Sequence, residues 1–506
     1  MNLRDDRDPS VRSASSSTPT PLAPLHLALA VLVLGAMAFV LYRAGLHGGW
    51  YGDDLMYLRP PGSGSPWLAA NAQTGWYRPL EAAWLAFARS HWDTATWPIH
   101  AMAIASHALF AGLAGLALAR LGASLTAAAI GAIVVLASQA AAMAVLGNDT
   151  LSQLWCALFG SAATLAAWEA RGPRRRSFTV LAVSLFALAL LSKEAALGFL
   201  PVLALVAGWP ARSHDTSPAT HSFAPPGGWL RWAVFVGLLV GVTAAFLLIR
   251  NQVGGLSLAG SRYRPALGLS TLTHVAQLLA AAITPTSSVR TYLAWSSHDR
   301  AGLAFAVGAG LVWLAFLSMS MIAGRFRARA AGVALAMLVA LGPYALLSHV
   351  SELYAYVLLG FLGVIAGLAF ESASRAGAAP RLGATLLVAG WLALQLPAVA
   401  EKIAFAVRNG AQVAPLEAAA RPHLVLAPRD AGVWLVDDDD RSPRYSVFLM
   451  PGLGPLNFGE AWLEREVGRE DLRVRVVEGR FEDVVARHPQ DVVLRWNGRE
   501  FERALP

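Results

Sequence analysis

Cysteine is almost missing from this chain: Cys156 is the single one in 506 residues, so no intrachain disulfide can form. It lies inside an apolar run, and cysteine usage therefore says nothing about redox compartment. Charge is scarce as well, at 14% of residues against 56% hydrophobic, which excludes an ordinary soluble domain. Lysine is scarcer still, because Lys193 and Lys402 are the two lysines among 40 basic residues. The net charge of +8 comes from arginines clustered in loops beside apolar runs. That placement reads as topology signals and phosphate contacts, with no nucleic-acid partner. Internal repeats and two related halves are also absent.

What is present is a succession of apolar runs separated by short polar punctuation, the pattern of a polytopic helical membrane protein. Eleven spans are expected, near 24–43, 99–119, 123–145, 150–170, 178–191, 194–208, 231–249, 302–322, 330–347, 353–370 and 382–399. Ala36-Met37-Ala38 resembles a signal-peptide cleavage triplet, but the apolar run continues past it, so an uncleaved anchor is expected. The clusters Arg171/Arg174/Arg175/Arg176, Arg325/Arg327/Arg329 and Arg375/Arg381 should be cytoplasmic by the positive-inside rule. With eleven crossings all three fall on the side of the N-terminus, and the first loop and the C-terminal tail fall outside.

The outward segment 250–300 carries Arg250, Arg262, Arg264, Arg290 and Arg300 against the single acid Asp299. Its apolar piece, about 272–283, is too short to span and is expected to be re-entrant or interfacial. Residues 1–23, rich in Ser, Thr and Pro, read as a disordered cytoplasmic tail. The membrane domain is expected over 24–403, with 44–98 as the first outer loop and 250–300 as the basic outer loop. From 404 to 506 a small extracytoplasmic α+β domain is expected. Its strand-like runs are His423–Ala427, Val433–Val436, Ser446–Met450, Leu472–Val477 and Asp491–Trp496. Asp437 to Asp440 read as a solvated turn, with a cation site as the alternative.

Five polar clusters fall on the outer side. Asp53 and Asp54 follow the first span, where a paired acid has no packing purpose and a carboxylate can act as a base on an acceptor hydroxyl. Trp76-Tyr77-Arg78-Pro79-Leu80 combines headgroup-layer aromatics with an arginine suited to phosphate; a membrane-parallel anchoring helix is the alternative. Asp149, after Asn148, either lines the same cavity or caps the fourth span. In Ser192-Lys193-Glu194 a lysine sits in apolar surroundings, either as a cation for a donor phosphate or paired structurally with Glu194. Ser348-His349-Val350-Ser351-Glu352-Leu353-Tyr354-Ala355-Tyr356 opens the tenth span, with Glu352 and Tyr356 on one helix face. His100 and His107, seven apart in the second span, either join this cavity or bond structurally across helices; their spacing is not that of a helical metal pair.

These elements, in this order, resemble the GT-C glycosyltransferases, and among them the protein O-mannosyltransferase branch with the bacterial transmembrane-and-TPR mannosyltransferases. The matching residues run from Asp53-Asp54 through Tyr77-Arg78-Pro79-Leu80 and His100 with Ser106-His107. They continue through Gly147-Asn148-Asp149-Thr150-Leu151, Ser192-Lys193-Glu194 with Pro201, and Pro343 with Glu352-Leu353-Tyr354-Ala355-Tyr356. Two arginines of the family pattern are missing, with Leu353 in place of one, and no TPR array follows. The resemblance implies transfer of a sugar from a polyprenyl-phosphate donor to a hydroxyl on a protein, lipid or glycan acceptor, with inversion, at the outer face of a bacterial inner membrane. Asp53 or Asp54 would be the base. Arg78 and Lys193, with Arg250, Arg262 or Arg264 in reserve, would meet the donor phosphate. Tyr77, His100, His107, Asp149, Glu194, His349, Glu352, Tyr354 and Tyr356 would line the cavity. The second carboxylate of the pair would position the acceptor or bind a divalent metal, Mg or Mn. Rival readings are a transporter or flippase, which would put polar groups at mid-bilayer in two related halves, and an oligosaccharide ligase.

Overall fold

The computed structural model describes residues 24–58, 76–172, 174–209, 228–254, 267–322, 326–438 and 442–503. The expected N-terminal tail, residues 59–75 of the first outer loop, Arg262, Arg264, Arg325, Asp439 and Asp440 lie outside the described residues. Helices occupy all eleven expected span positions. In chain order these are α1 (Pro24–Tyr42), then, after the outer-loop helix α2 (Pro79–Trp92), α3 (Trp97–Arg120), α4 (Leu125–Ala137), α5 (Ala142–Leu146), α6 (Leu151–Glu169), α7 (Arg175–Ser192) and α8 (Phe199–Gly208). Next come α9 (Trp229–Gln252), the short α10 (Leu269–Ile283) and α11 (Ser288–Ser296), then α12 (Arg300–Ile322), α13 (Arg327–Ala345), α14 (Tyr356–Ala376) and α15 (Ala378–Val425).

Among the described residues eight helices are long and apolar enough to cross a membrane alone, or nine where the bent pair of α4 with 139–146 is counted as one span. The helices at 151–169 and 194–208 fall short of that measure, yet both are embedded in the bundle. Large side chains such as Leu32, Val307 and Leu386 are more than half exposed, as expected of a lipid-facing belt. The chain is a polytopic all-α membrane protein carrying a small α+β domain.

Close packing in the bundle centre comes from small residues. A methyl built on Gly131 of α4 would lie 2.7 Å from the Gly363 carbonyl oxygen of α14, and one on Gly363 would lie 2.6 Å from that of Gly131. Gly363 and Gly367 form a Gly-x-x-x-Gly pair, which lets two backbones touch where no aqueous hydrophobic drive exists.

The third crossing breaks at Ser138 with a 50° bend. A break in hydrocarbon strands backbone groups that water cannot reach, so side chains must take them. The Leu136 carbonyl accepts from His107 Nε2 at 3.1 Å. The Gln139 N–H donates to Gln395 Oε1 at 2.5 Å, and the Gln139 carbonyl accepts from Lys402 Nζ at 3.1 Å. Gln395 and Lys402 are seven residues apart, on one face of α15. Lys402, fully buried, also bonds the Gln139 side chain and pairs with Glu352.

Helix α15 has 48 residues, or about 70 Å at helical rise, and runs unbroken past position 403, where a domain boundary was expected. The expected strand at His423–Ala427 is therefore the end of this helix and its turn. Beyond it lie strands β1 (Gly432–Asp437), β2 (Arg473–Glu478), β3 (Val492–Trp496) and β4 (Phe501–Arg503), with helices α16 (Glu460–Glu466) and α17 (Phe481–Arg487). The sheet order is β2-β1-β3-β4, with β1 parallel to both neighbours and β4 antiparallel at the edge. The expected strand at Ser446–Met450 is instead a turn closed by a bridge between Tyr445 and Leu449, and β4 was not anticipated. The solvated-turn reading of the acid run also fails at its start. Asp437 is buried and pairs with Arg444 at 3.1 Å, and Asp438 pairs with Arg495 at 2.6 Å.

If the Lys402–Glu352 pair stabilises the broken crossing, Lys402→Met alone should cost about 3–5 kcal/mol by stranding a buried carboxylate. Adding Glu352→Gln should recover much of that loss, as read by thermal unfolding in detergent. Equal losses in the single and double variants would show that the two do not act as a unit.

Candidate active site

At the end of the bundle where the acid pair lies, a cavity of about 1070 Å³ opens between the helices and the C-terminal domain. Its lining includes Asp53, Asp54, Trp76, Arg78, Asp149, Thr150, Lys193, His349, Glu352 and Tyr354, so all five outer polar clusters reach one space. Arg171, Arg329 and Arg375 of the basic loops bind elsewhere, at the opposite ends of the helices they follow or open. Arg171 bonds the Trp209 carbonyl at the end of α8, Arg329 bonds the Leu121 carbonyl, and Arg375 lies 5.7 Å from the Phe326 ring.

The acid pair divides its labour. Both residues lie on a short 3₁₀ turn, Gly52–Leu58. Behind them, the loop packs on α15 so tightly that a methyl on Gly410 would lie 2.5 Å from Gly49 N. Asp54 is buried, and its two oxygens accept three hydrogen bonds: Asn148 Nδ2 at 2.8 Å, Asn148 N at 3.2 Å and Asp149 N at 3.1 Å. Burial pushes this carboxyl well above the usual range and the Asp149 charge adds to it, while the Asn148 donors pull it back. Asp54 therefore holds the Gly147–Thr150 turn against the cavity. Asp53 is half-buried and lines the cavity beside Tyr51, whose buried hydroxyl has no hydrogen-bond partner among the described residues.

Pro79, at the first position of α2, starts that helix with Arg78 at its cap, and this aims Arg78 inward. The Arg78 guanidinium lies 4.1 Å from the Trp76 ring, 3.9 Å from Glu81 Oε2 and 3.8 Å from Glu194 Oε2. Glu81 carries its other oxygen to the Ser152 N–H at 2.8 Å, satisfying one of the orphan donors at the start of α6. Burial lifts the Glu81 carboxyl to about 7 against the pull of Arg78. Lys193 caps α7 and is buried, with its ammonium 5.3 Å from the Tyr354 ring and 5.9 Å from Tyr344. Burial, with Arg78 adding, draws this ammonium down to about 8. Tyr354 in turn bonds His349 Nε2 at 3.0 Å. Glu352, held by Lys402, accepts from Ser288 at 2.7 Å and from Tyr445 of the C-terminal domain at 3.1 Å.

Five residues expected on the lining are not among those that form it. His107 is spent inside the bundle. The Leu136 carbonyl can only accept, so Nε2 carries the proton and Nδ1 accepts from the Tyr356 hydroxyl at 2.9 Å. Tyr356 is thereby consumed too, and the structural pairing of the histidine holds. His100 Nε2 faces the Gly48 carbonyl at 3.4 Å. Tyr77 packs on Phe246 of α9, with ring centroids 6.0 Å apart. Glu194 lies behind the wall between Arg78 and Arg250, 4.0 Å from the latter. Arg250 is buried at the end of α9 and is not among the lining residues.

Sequence reasoning missed Glu81, Gln139, Lys402, Tyr292 and Tyr445. The rarity of lysine was a usable signal for Lys402; nothing local marks Tyr445. Among the described residues no three His, Cys, Asp or Glu side chains gather to hold a metal ion, and the Asp54 oxygens face N–H donors. Asp53, Asp149 and Glu352 are the other carboxylates of the lining, and Glu352 pairs with Lys402.

No family model and no curated protein matches the chain. Solved structures do. The apo crystal structure of ArnT from Cupriavidus metallidurans superposes with a TM-score of 0.51 at 14% identity, covering 92% of this chain and 92% of that one. ArnT bound to undecaprenyl phosphate gives 0.49 at 15% identity over the same shares. The archaeal oligosaccharyltransferase AglB from Archaeoglobus fulgidus, in complex with an inhibitory peptide and a dolichol-phosphate, gives 0.49 at 13% identity over 93% of this chain and 69% of its own. The superposition on apo ArnT shows that the two chains share a fold.

Replacing Asp54 by Asn leaves one acceptor oxygen where three N–H groups converge. Asp54→Asn should destabilise the protein by about 1–3 kcal/mol. Thermal unfolding of Asp54→Asn against the wild type makes the measurement, and an unchanged midpoint would remove the structural role assigned to Asp54.

Proposed function

We propose that this chain is a membrane glycosyltransferase of the O-mannosyltransferase-like kind. It moves a hexosyl or pentosyl group from a polyprenyl-phosphate donor to an acceptor hydroxyl, with inversion, at the extracytoplasmic face of a bacterial inner membrane. The observation that carries this reading is that a carboxylate, Asp53, and two cations, Arg78 and Lys193, line one cavity in a fold shared with ArnT. The orientation proposed puts the arginine-rich bundle end in the cytoplasm and the cavity, with the domain of about 404–506, outside. Residues 24–403 are then the catalytic membrane domain.

In this reading Asp53 is the base, because Asp54 already accepts three hydrogen bonds and Asp53 lines the open space. Asp53 takes the proton of the acceptor hydroxyl as that oxygen attacks the anomeric carbon. The carbon–oxygen bond to phosphate breaks on the far side, inverting the centre. Polyprenyl phosphate leaves with the bonding electrons, and its growing negative charge is met by Arg78 and Lys193. Glu194 and Arg250 position Arg78 from behind. Trp76, stacked on the guanidinium, limits its swing.

Sugar transfer in proteoliposomes with a panel of radiolabelled polyprenyl-phosphate sugars tests the assignment. One donor should be consumed by the wild type, and Asp53→Asn should lower turnover by about 10²–10⁴-fold. If no donor is consumed, the transferase reading fails. A second expectation concerns pH. The ammonium, not the amine, attracts phosphate, so polyprenyl-phosphate affinity should hold up to neutral pH and fall as pH rises through and above about 8. Bound phosphate stabilises the ammonium, which moves the fall upward rather than downward. Lys193→Arg should flatten the profile between pH 7 and 10, because arginine keeps its charge throughout.

A further inference from the structure

The cavity has a second wall with different chemistry. It is built from α11 and from the 445–446 turn that the C-terminal domain sends back over the membrane helices. Its side chains are Ser288, Thr291, Tyr292, Trp295, Tyr445 and Ser446. The Tyr292 and Tyr445 rings lie 5.0 Å apart at 34°, one from each domain. The Tyr445 hydroxyl donates to Glu352, which fixes the plane of its ring. Trp295 is 66% exposed, a large apolar surface turned toward the space rather than into a core.

The charged groups on this side are neutralised within the protein. Glu352 is matched by Lys402, and Arg444 is shared between Asp437 and Glu478. An anionic ligand would have to compete with two carboxylates for Arg444. What this wall offers instead is aromatic faces with hydroxyls between them.

We propose that this wall is the acceptor subsite and that it takes an uncharged saccharide. A pyranose ring has a face of weakly positive C–H groups that suits the negative face of an aromatic ring. Its hydroxyls suit Ser288, Thr291 and Ser446, each of which can donate and accept. The incoming hydroxyl is then presented toward Asp53 across the same cavity, while Arg78 and Lys193 serve the donor phosphate. The word acceptor rests on the transferase reading; the saccharide site itself does not.

The test uses the full chain in nanodiscs and saturation-transfer NMR. The probes are maltotriose and a set of uncharged methyl glycosides, compared with glycerol 3-phosphate and a Ser/Thr-containing peptide. At least one neutral glycoside should bind better than the phosphate and the peptide. Trp295→Ala and Tyr292→Ala should each weaken it by about tenfold or more, the loss typical of a truncated aromatic anchor. Trp295 is exposed, so its truncation carries little folding cost. Tyr445→Phe, which keeps the ring, should bind better than Tyr445→Ala. The proposal is overturned if no neutral glycoside binds, if binding is unchanged in Trp295→Ala, or if the peptide or glycerol phosphate binds more tightly. Polyprenyl-phosphate binding is measured in the same nanodiscs. Its failure, with glycoside binding intact, overturns the transferase reading and leaves the saccharide site standing.

Discussion

An ammonium group taken out of water needs a counter-charge and hydrogen-bond acceptors within reach, and at Lys402 both requirements are met by groups that belong to the cavity. Lys402 bonds the backbone and side chain of Gln139, where the third crossing breaks, and pairs with Glu352. Glu352 in turn accepts from Ser288 at the start of α11 and from Tyr445 in the C-terminal domain. One buried charge thus joins the broken helix, the long last helix, α11 and the C-terminal domain. The break matters because it turns the backbone around 139–150 toward the cavity and brings Asn148 and Asp149 to Asp54.

The same logic explains why the site contains two acids in sequence with different environments. A buried carboxylate with three N–H donors is a structural clamp, and its neighbour on the turn lines the cavity. The cations are likewise ordered rather than loose. Arg78 is stacked on Trp76 and flanked by Glu81 and Glu194, and Lys193 is set against the Tyr344 and Tyr354 rings. Positive groups held this way need little reorganisation when negative charge develops, which is the condition for electrostatic stabilisation of a leaving group.

The C-terminal domain is fastened to the membrane part at several points. Asn409 on α15 donates to the Val447 carbonyl at 2.8 Å, and Arg465 donates to the Leu58 carbonyl at 2.6 Å, at the end of the acid-pair turn. Arg89 of α2 reaches the Tyr57 and Leu58 carbonyls as well. The turn bearing Asp53 is therefore held by the first outer loop and the soluble domain together. This is the physical basis for a cavity with one wall from each.

The sequence by itself determined the membrane class, the positions of the spans and the segregation of arginines from the outer polar clusters. These follow from hydropathy and from the cost of placing charge in hydrocarbon, which act locally along the chain. It also marked Asp53, Asp54, Arg78, Asp149, Lys193 and Glu352 as candidates for one cavity, and all six are in the lining of one cavity. Tertiary structure alone decided which polar residues serve the bundle and which serve the space. His107 and Tyr356 are spent on a carbonyl freed by a break that local sequence does not announce. Tyr445 reaches Glu352 across 93 residues, and Lys402 reaches Gln139 across 263. Hydrogen-bond partners at such separations depend on how helices and domain dock, and that docking is not written in any local pattern of residues.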